Sequence, residues 1–328
     1  TGQWVAKEYA GTYGVNGFYL NFQNGASVGE DSSGNGNDFT NNGATQSTDT
    51  PTDNHCTWNT IDPTTDSVIT DSGLTAASPA ILSNYYAMGT HLLVGGKYYF
   101  EVAPDASYVT VDGSIRLGVS NGDVTDNDIA IYNLSAGSYT IEGTTTGGKS
   151  TANGTNVIGV AVDTVLNTIE FFKDDVSEGS ASITSGDWLP HLRTHTNTGR
   201  TLIAVTFNFT EASWTYAAPT GFKALSSKNL PEPVITLPKK YNQTYLYTGN
   251  GGGLQVGNNS QDIDLYPIAN SGAFASEESD YLNLTLGAGD TKTWVFSSWV
   301  KRAGVGVQQS VLGTNEGGVA YLYSLGTI

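Results

Sequence analysis

Apolar side chains recur along this chain at every second position, in short runs separated by turn-forming clusters. In GKYYFEVA, Tyr98, Phe100 and Val102 fall on one side while Lys97, Tyr99 and Glu101 fall on the other, the pattern of a half-buried strand. The same alternation groups Phe18, Leu20 and Phe22, then Ile115, Leu117 and Val119, then Ile158, Val160 and Val162. Further along it groups Ile169 with Phe171, and Ile203 with Val205, Phe207 and Phe209. Between these runs lie SNGD, TTTGGKSTANGTN and TNTG, whose Gly and Asn residues tolerate positive φ and end strands. The pattern predicts an antiparallel β-sandwich. Val157, Gly159 and Ala161, opposite Ile158, Val160 and Val162, are small or β-branched, so both faces of that strand are expected to be covered. It should pair with the NTIEFFK strand as a hairpin at the centre of the core. Helical spacing is absent from long stretches; Ser276 to Leu284 is the one place where a turn or two of helix is expected.

Proline divides the chain. Pro231, Pro233 and Pro238 punctuate NLPEPVITLPKK, ahead of the glycines at 249–253, so a domain is expected to end near Leu230. The resulting division is an N-terminal β segment (1–40), a sandwich (41–230), a Pro/Gly-rich linker or irregular β extension (231–272) and a second β domain opening at 273–328. In TKTWVFSSWVKR, Trp294, Phe296 and Val300 share one expected strand face, with Val295 and Trp299 on the other. The strand-like sequence running to Ile328 and the initial Thr suggest a piece of a longer protein.

Composition narrows the function. Of 328 residues, 14 are Lys or Arg and 31 are Asp or Glu, a formal charge of −17. Such a surface repels phosphate, and no basic stripe replaces counterions, which argues against nucleic-acid binding. No apolar run reaches the ~18 residues of a membrane span. The single cysteine, Cys56, is expected to be a buried small side chain.

Segments GKYYFEV, GSIRLGVS, NVIGVAVDTVLNTIEFFK, TLIAVTFNF and APTGFKALSSKNLPEPVI, in that order, resemble a SPRY domain, and more closely the SPRY-like module of tailed-bacteriophage structural proteins. EYAGTYGVNGFYLNF with DSSGNGNDFTNNG upstream, and SDYLNLTLGAGDTKTWVFSSWVKRAG downstream, are similar to laminin-G or concanavalin A-like units of such proteins. The likeness covers residues 9 to 235 and 273 to 325. It implies a two-sheet antiparallel sandwich of SPRY/concanavalin A-like jelly-roll type, followed by the start of a second concanavalin A-like domain, acting as a binding or structural module. One departure is Asp174–Asp175 where the family pattern has Asn-Gly; a turn wider than a two-residue type I′ turn is expected there.

Candidate chemistry is sparse. Of four histidines, His55, His91, His191 and His195, the last two are expected at a loop or strand end; their four-residue spacing suits a metal only on a helix, and no such helix is indicated. Scattered Ser, His and Asp residues carry no triad signal by themselves. Glu101, Asp163 and Glu170 sit singly in their strands and are expected on a solvated face, not as the carboxylate pair of a glycosidase. Asp31, Asn35 and Asp38 in DSSGNGND form a candidate calcium loop, although Asn42 replaces the bidentate Glu of an EF-hand; a hydrogen-bonded turn is the competing reading. Trp58, Tyr85, Tyr86, Tyr108 and Trp188 lie outside the clearest strands and are candidate sugar-stacking side chains, or else core or interface filler. The expectation is a non-enzymatic virion protein without cofactor, in a tail fibre or appendage. It would be a homo-oligomer bound to other virion proteins and contacting host-surface glycans. Alternatives are a capsid-surface decoration or head fibre, a secreted bacterial lectin or adhesin, and part of a glycan depolymerase whose catalytic residues lie elsewhere.

Overall fold

The computed structural model describes residues 7–62, 66–80, 82–110, 113–122, 129–198, 202–231, 246–248, 254–256, 268–274, 280–285, 295–301, 309–311 and 324–325. Two short strands come first, β1 (Thr40–Asn42) and β2 (Thr45–Ser47). Next come β3 (Val68–Thr70), β4 (Thr75–Ala77), β5 (Asn84–Met88), β6 (Lys97–Pro104), β7 (Gly113–Ser120), β8 (Ile129–Asn133), β9 (Ser138–Ile141) and β10 (Thr144–Thr146). They are followed by β11 (Ile158–Asp163), β12 (Thr168–Lys173), β13 (Val176–Ser182), β14 (Leu189–Thr196) and β15 (Ala204–Asn208). Beyond these are β16 (Leu246–Thr248), β17 (Leu254–Val256), β18 (Ser271–Ala273), β19 (Tyr281–Asn283), β20 (Gln309–Ser310) and β21 (Ser324–Leu325).

Strands β3 to β15 build two sheets whose neighbours all run antiparallel. A seven-stranded sheet has the order β13-β12-β11-β6-β15-β4-β3, and a six-stranded sheet the order β10-β9-β8-β7-β14-β5. The alternation in the sequence closes one interior between them. Tyr98, Phe100, Val102, Ile158, Val160, Val162, Ile169, Phe171, Val205, Phe207 and Phe209 from one sheet meet Ile115, Leu117, Val119, Tyr132 and Leu192 from the other, all buried. Its aromatic centre is Trp58, set edge-on to Phe207 with 4.3 Å between centroids and flanked by Phe209, with Phe100 stacked 5.8 Å from Phe207. Such edge-to-face and offset pairs add to burial itself.

The outer face of β6 and β11 is covered as well. Tyr99 meets Trp214 edge-on at 5.0 Å, and a Cβ at Gly159 would lie 2.5 Å from the Tyr99 hydroxyl, so the small residue there is needed for the cover to seat. Glu101 is fully buried: its carboxylate accepts the Thr215 and Tyr216 N–H groups at 2.5 and 2.8 Å and the Tyr99 hydroxyl at 3.2 Å. Asp163 is buried too, beside Lys97 Nζ at 3.1 Å and accepting the Val165 and Leu166 N–H groups at 2.9 Å each. The solvated face expected for these two carboxylates is therefore corrected, because segment 214–216 and the turn after β11 lie over them. Glu170, half-buried, accepts the Ser177 hydroxyl at 2.6 Å.

Four further expectations are corrected. The Asp174–Asp175 turn is a two-residue connection between Lys173 and Val176, with φ of 48° and 67° at the two aspartates, in place of the wider loop expected. Asp tolerates this left-handed region when its side chain is anchored, and Asp174 accepts Val157 N–H at 2.9 Å and Asn156 Nδ2 at 2.6 Å. The stretch Phe18 to Phe22 forms no strand; Phe18 packs edge-on against Phe39 at 4.8 Å, and Phe22 has φ of 56°. Residues 295–301 likewise form no strand, and Val295, Trp299 and Val300 are exposed; Trp294 lies outside the described residues. Tyr281–Asn283, inside the expected helical turn, is a strand; residues 275–279 lie outside the described residues.

Candidate functional site

At one side of the sandwich, edge strands β10 and β13 of the two sheets leave an open groove of about 320 Å³. Its polar wall is Thr144, Thr146, Ser182 and Glu142; Tyr139, Ile141 and Ala181 supply the apolar part. The local sequence explains the shape. SYTI continues the alternation that puts Tyr139 and Ile141 toward the interior, and Glu142–Gly143, at φ of 46° and 83°, turns the chain so that Thr144 pairs with Ile141. A non-glycine residue in the left-handed region needs support from its surroundings. Here the Glu142 carboxylate accepts both the N–H of Thr184, at 2.9 Å, and its hydroxyl, tying the turn to the loop after β13. The Tyr139 ring stacks on Phe171 at 6.1 Å, and the Lys149 ammonium lies 4.9 Å from its centroid.

Chemically, the groove presents hydroxyl groups that both donate and accept and one carboxylate already engaged by Thr184, over a floor that includes the buried Tyr139 ring. Its lining contains no histidine, cysteine or second carboxylate. Such a surface suits hydrogen bonding to a neutral polar ligand. The hydroxyl run Thr144–Thr146 stood in the sequence only as part of a turn cluster; its position two residues after the SYTI alternation was the available signal.

The five aromatic candidates are not brought together. Trp58, Tyr108 and Trp188 are buried in the sandwich; Trp58 bridges to Gly89, Trp188 bridges to Leu93, and Trp188 Nε1 donates to the Thr184 carbonyl at 3.0 Å. These three side chains are core filler, the competing reading of the sequence. Tyr85 and Tyr86 are half-buried on edge strand β5, at the opposite side from the groove, with the Arg193 guanidinium 5.7 Å from the Tyr86 ring.

The calcium-loop candidates form a hydrogen-bonded turn. Asp31 Oδ1 accepts the Tyr19 and Ser33 N–H groups at 2.9 and 2.8 Å, and Oδ2 accepts Asn37 N–H at 2.9 Å and the Ser33 hydroxyl at 2.8 Å. Burial works against ionisation of Asp31, but these bonds outweigh it and hold its carboxyl below the usual range. Asn35 turns its amide nitrogen toward the Gly14 and Gly17 carbonyls, and Asp38 accepts the Asp31 N–H at 2.8 Å. Among the described residues no three His, Cys, Asp or Glu side chains are placed to share a metal ion.

His191 and His195 lie within β14, where even spacing puts both on its outer face; His191 is buried against Met88 Sδ at 3.2 Å. Burial, with the charge of Arg193, lowers the His191 pKa to about 3. His91, also buried, is lowered to about 4 by burial and the nearby Lys301, against the opposing effect of Asp49. Cys56 is fully buried, as expected, and burial pushes its thiol up to about 11, so it is not poised as a nucleophile.

These features define an antiparallel β-sandwich with a hydroxyl-lined groove at its sheet edges. No protein-family model matches the chain, and no curated protein does. Solved structures it is similar to include the SPRY domain of human HERC1, at 17% identity and a TM-score of 0.37, covering 43% of this chain and 91% of that one. Another is the stonustoxin structure, at 11% identity and a TM-score of 0.35, covering 46% of this chain and 28% of that one. No helix among the described residues is long and apolar enough to cross a membrane.

Proposed function

We propose that this chain is a non-enzymatic structural and binding module of a tailed-bacteriophage virion, in a tail fibre or appendage, and that its edge groove holds a neutral host-surface glycan. The observation that carries the binding half is the groove itself, with Thr144, Thr146 and Ser182 beside the Tyr139 ring and no second carboxylate to complete a hydrolytic pair. A ligand without charge has no repulsion to overcome on a chain of net charge −17. The virion setting rests on the resemblance of the quoted segments to phage modules, and with it the expected neighbours: other virion proteins and further copies of this chain. Symmetric assembly would cover the outer edge of β3.

The test is calorimetric titration of the purified protein with neutral surface polysaccharide from the host bacterium. Binding that weakens at least tenfold in Tyr139→Ala, with the reducing-end count of the polysaccharide unchanged after incubation, supports the reading. Release of new reducing ends, or binding indifferent to Tyr139, overturns it.

A further inference from the structure

The N-terminal segment finds its strand partners far along the chain. β1 pairs antiparallel with β19 (Thr40↔Asn283, Asn41↔Leu282, Asn42↔Tyr281), and β2 with β18 (Thr45↔Ala273, Gln46↔Gly272, Ser47↔Ser271). Side chains continue the contact. Thr52 Oγ1 donates to the Ile268 carbonyl at 2.9 Å and accepts its N–H at 3.1 Å, and the Ser271 hydroxyl donates to the Asp49 carbonyl at 2.7 Å. The fit is close: a Cβ on Gly272 would lie 2.8 Å from the Phe22 ring, and one on Gly43, at φ of 94°, would run into the Asp280 carboxylate.

Lys301 closes the arrangement. Its ammonium donates to Asp49 Oδ2 at 2.6 Å, Asn54 Oδ1 at 2.7 Å and the His55 carbonyl at 2.8 Å, one acceptor for each of its three protons. Meanwhile the points where the chain enters and leaves the sandwich touch. Asn54 N–H donates to the Ser227 hydroxyl, and Ser227 N–H to the Asn54 carbonyl, each at 2.8 Å, and His55 bridges to Ser226. Neighbouring ends are what a domain needs to sit inside another without distorting it.

We infer that residues 17–54 and, on the far side of the sandwich in sequence, residues 268–274, 280–285 and 295–301 are two arms of one folding unit, that the sandwich is inserted between them, and that Lys301 docks into the Asp49–Asn54–His55 cradle to lock the arms together. The division of the chain is then nested instead of serial. Nothing in this depends on what the groove binds.

Two measurements on the full chain test it. In the first, a protease recognition sequence is placed between Pro233 and Val234, the protein is cleaved, and the pieces are passed over a sizing column at micromolar concentration. Co-elution, reduced at least tenfold in affinity by Lys301→Ala, is the expected result. Quantitative separation of the cleaved fragments that retain Lys301 overturns the shared unit, and retention indifferent to Lys301→Ala overturns the cradle. In the second, Asn41→Cys is combined with Leu282→Cys and mild oxidant is added. A disulfide between the two supports the register, whereas two thiols that stay reactive in a folded protein contradict it.

Discussion

Acidification from pH 7 to pH 5 should destabilise this protein through two buried histidines. In the unfolded chain both imidazoles titrate near their ordinary value of 6.5, whereas burial holds His91 down to about 4 and His191 to about 3. Between those limits the unfolded state binds more protons than the folded one, so stability falls as pH falls. His91 sits near Lys301, Asp49 and His55, with Thr90 Oγ1 2.9 Å from its Nδ1; His191 sits near Arg193, Met88 and the Tyr86 ring. At ~1.4 kcal/mol per pH unit below 6.5, each contributes a loss of about 2 kcal/mol at pH 5, or about 4 kcal/mol together. The lowered carboxyls of Asp31, Asp105 and Asp163 act elsewhere. Their stabilisation is present above the unfolded value of 3.8 and is lost only as pH falls through their folded values. The assay is urea unfolding at pH 7, 6 and 5, followed by tryptophan fluorescence, for the native chain and for His91→Gln with His191→Gln. Stability that drops in the native chain and stays nearly level in the double variant is the expected outcome. A native chain equally stable at pH 7 and 5, or a double variant with the same slope, refutes the reasoning.

Two substitutions probe the packing. Glu101→Gln replaces an acceptor-only group that receives the Thr215 and Tyr216 N–H groups by one that also carries donors. It should cost about 1–3 kcal/mol in unfolding free energy, and a melting temperature unchanged within a degree would show that segment 214–216 is not held this way. Asp175→Gly removes a side chain from a residue at φ of 67° and should stabilise by about 0.5–1 kcal/mol in the same urea assay; destabilisation would mean that the Asp175 side chain has a favourable role exceeding its backbone strain.

The strands that pack two sheets together were legible because burial on one side writes itself into alternate residues. Ile203, Val205, Phe207 and Phe209 are all buried on one face, as read. Alternation misleads where backbone groups find other partners. Around Phe18–Phe22 the Tyr19 N–H goes to Asp31 and the Phe22 carbonyl to Gln46 Nε2, so no ladder forms despite the spacing. Polarity misleads similarly at Glu101, where a carboxylate on the outer face is covered by a segment more than a hundred positions away in sequence. Trp58 and Trp188 looked like loop aromatics because their strand contacts are single bridges, to Gly89 and Leu93, too short to leave a periodic trace. The groove escaped notice for a related reason: its wall joins residues 139–146 to residues 181–182, and only the pairing of sheets brings those hydroxyls together.

Amide chemical-shift mapping during titration with a neutral host-surface oligosaccharide addresses the central claim most directly. The account predicts saturable shifts confined to Tyr139–Thr146 and Ala181–Thr184, with β5 and its tyrosines silent. Shifts centred on Tyr85 and Tyr86, or a spectrum untouched by millimolar sugar, would contradict it.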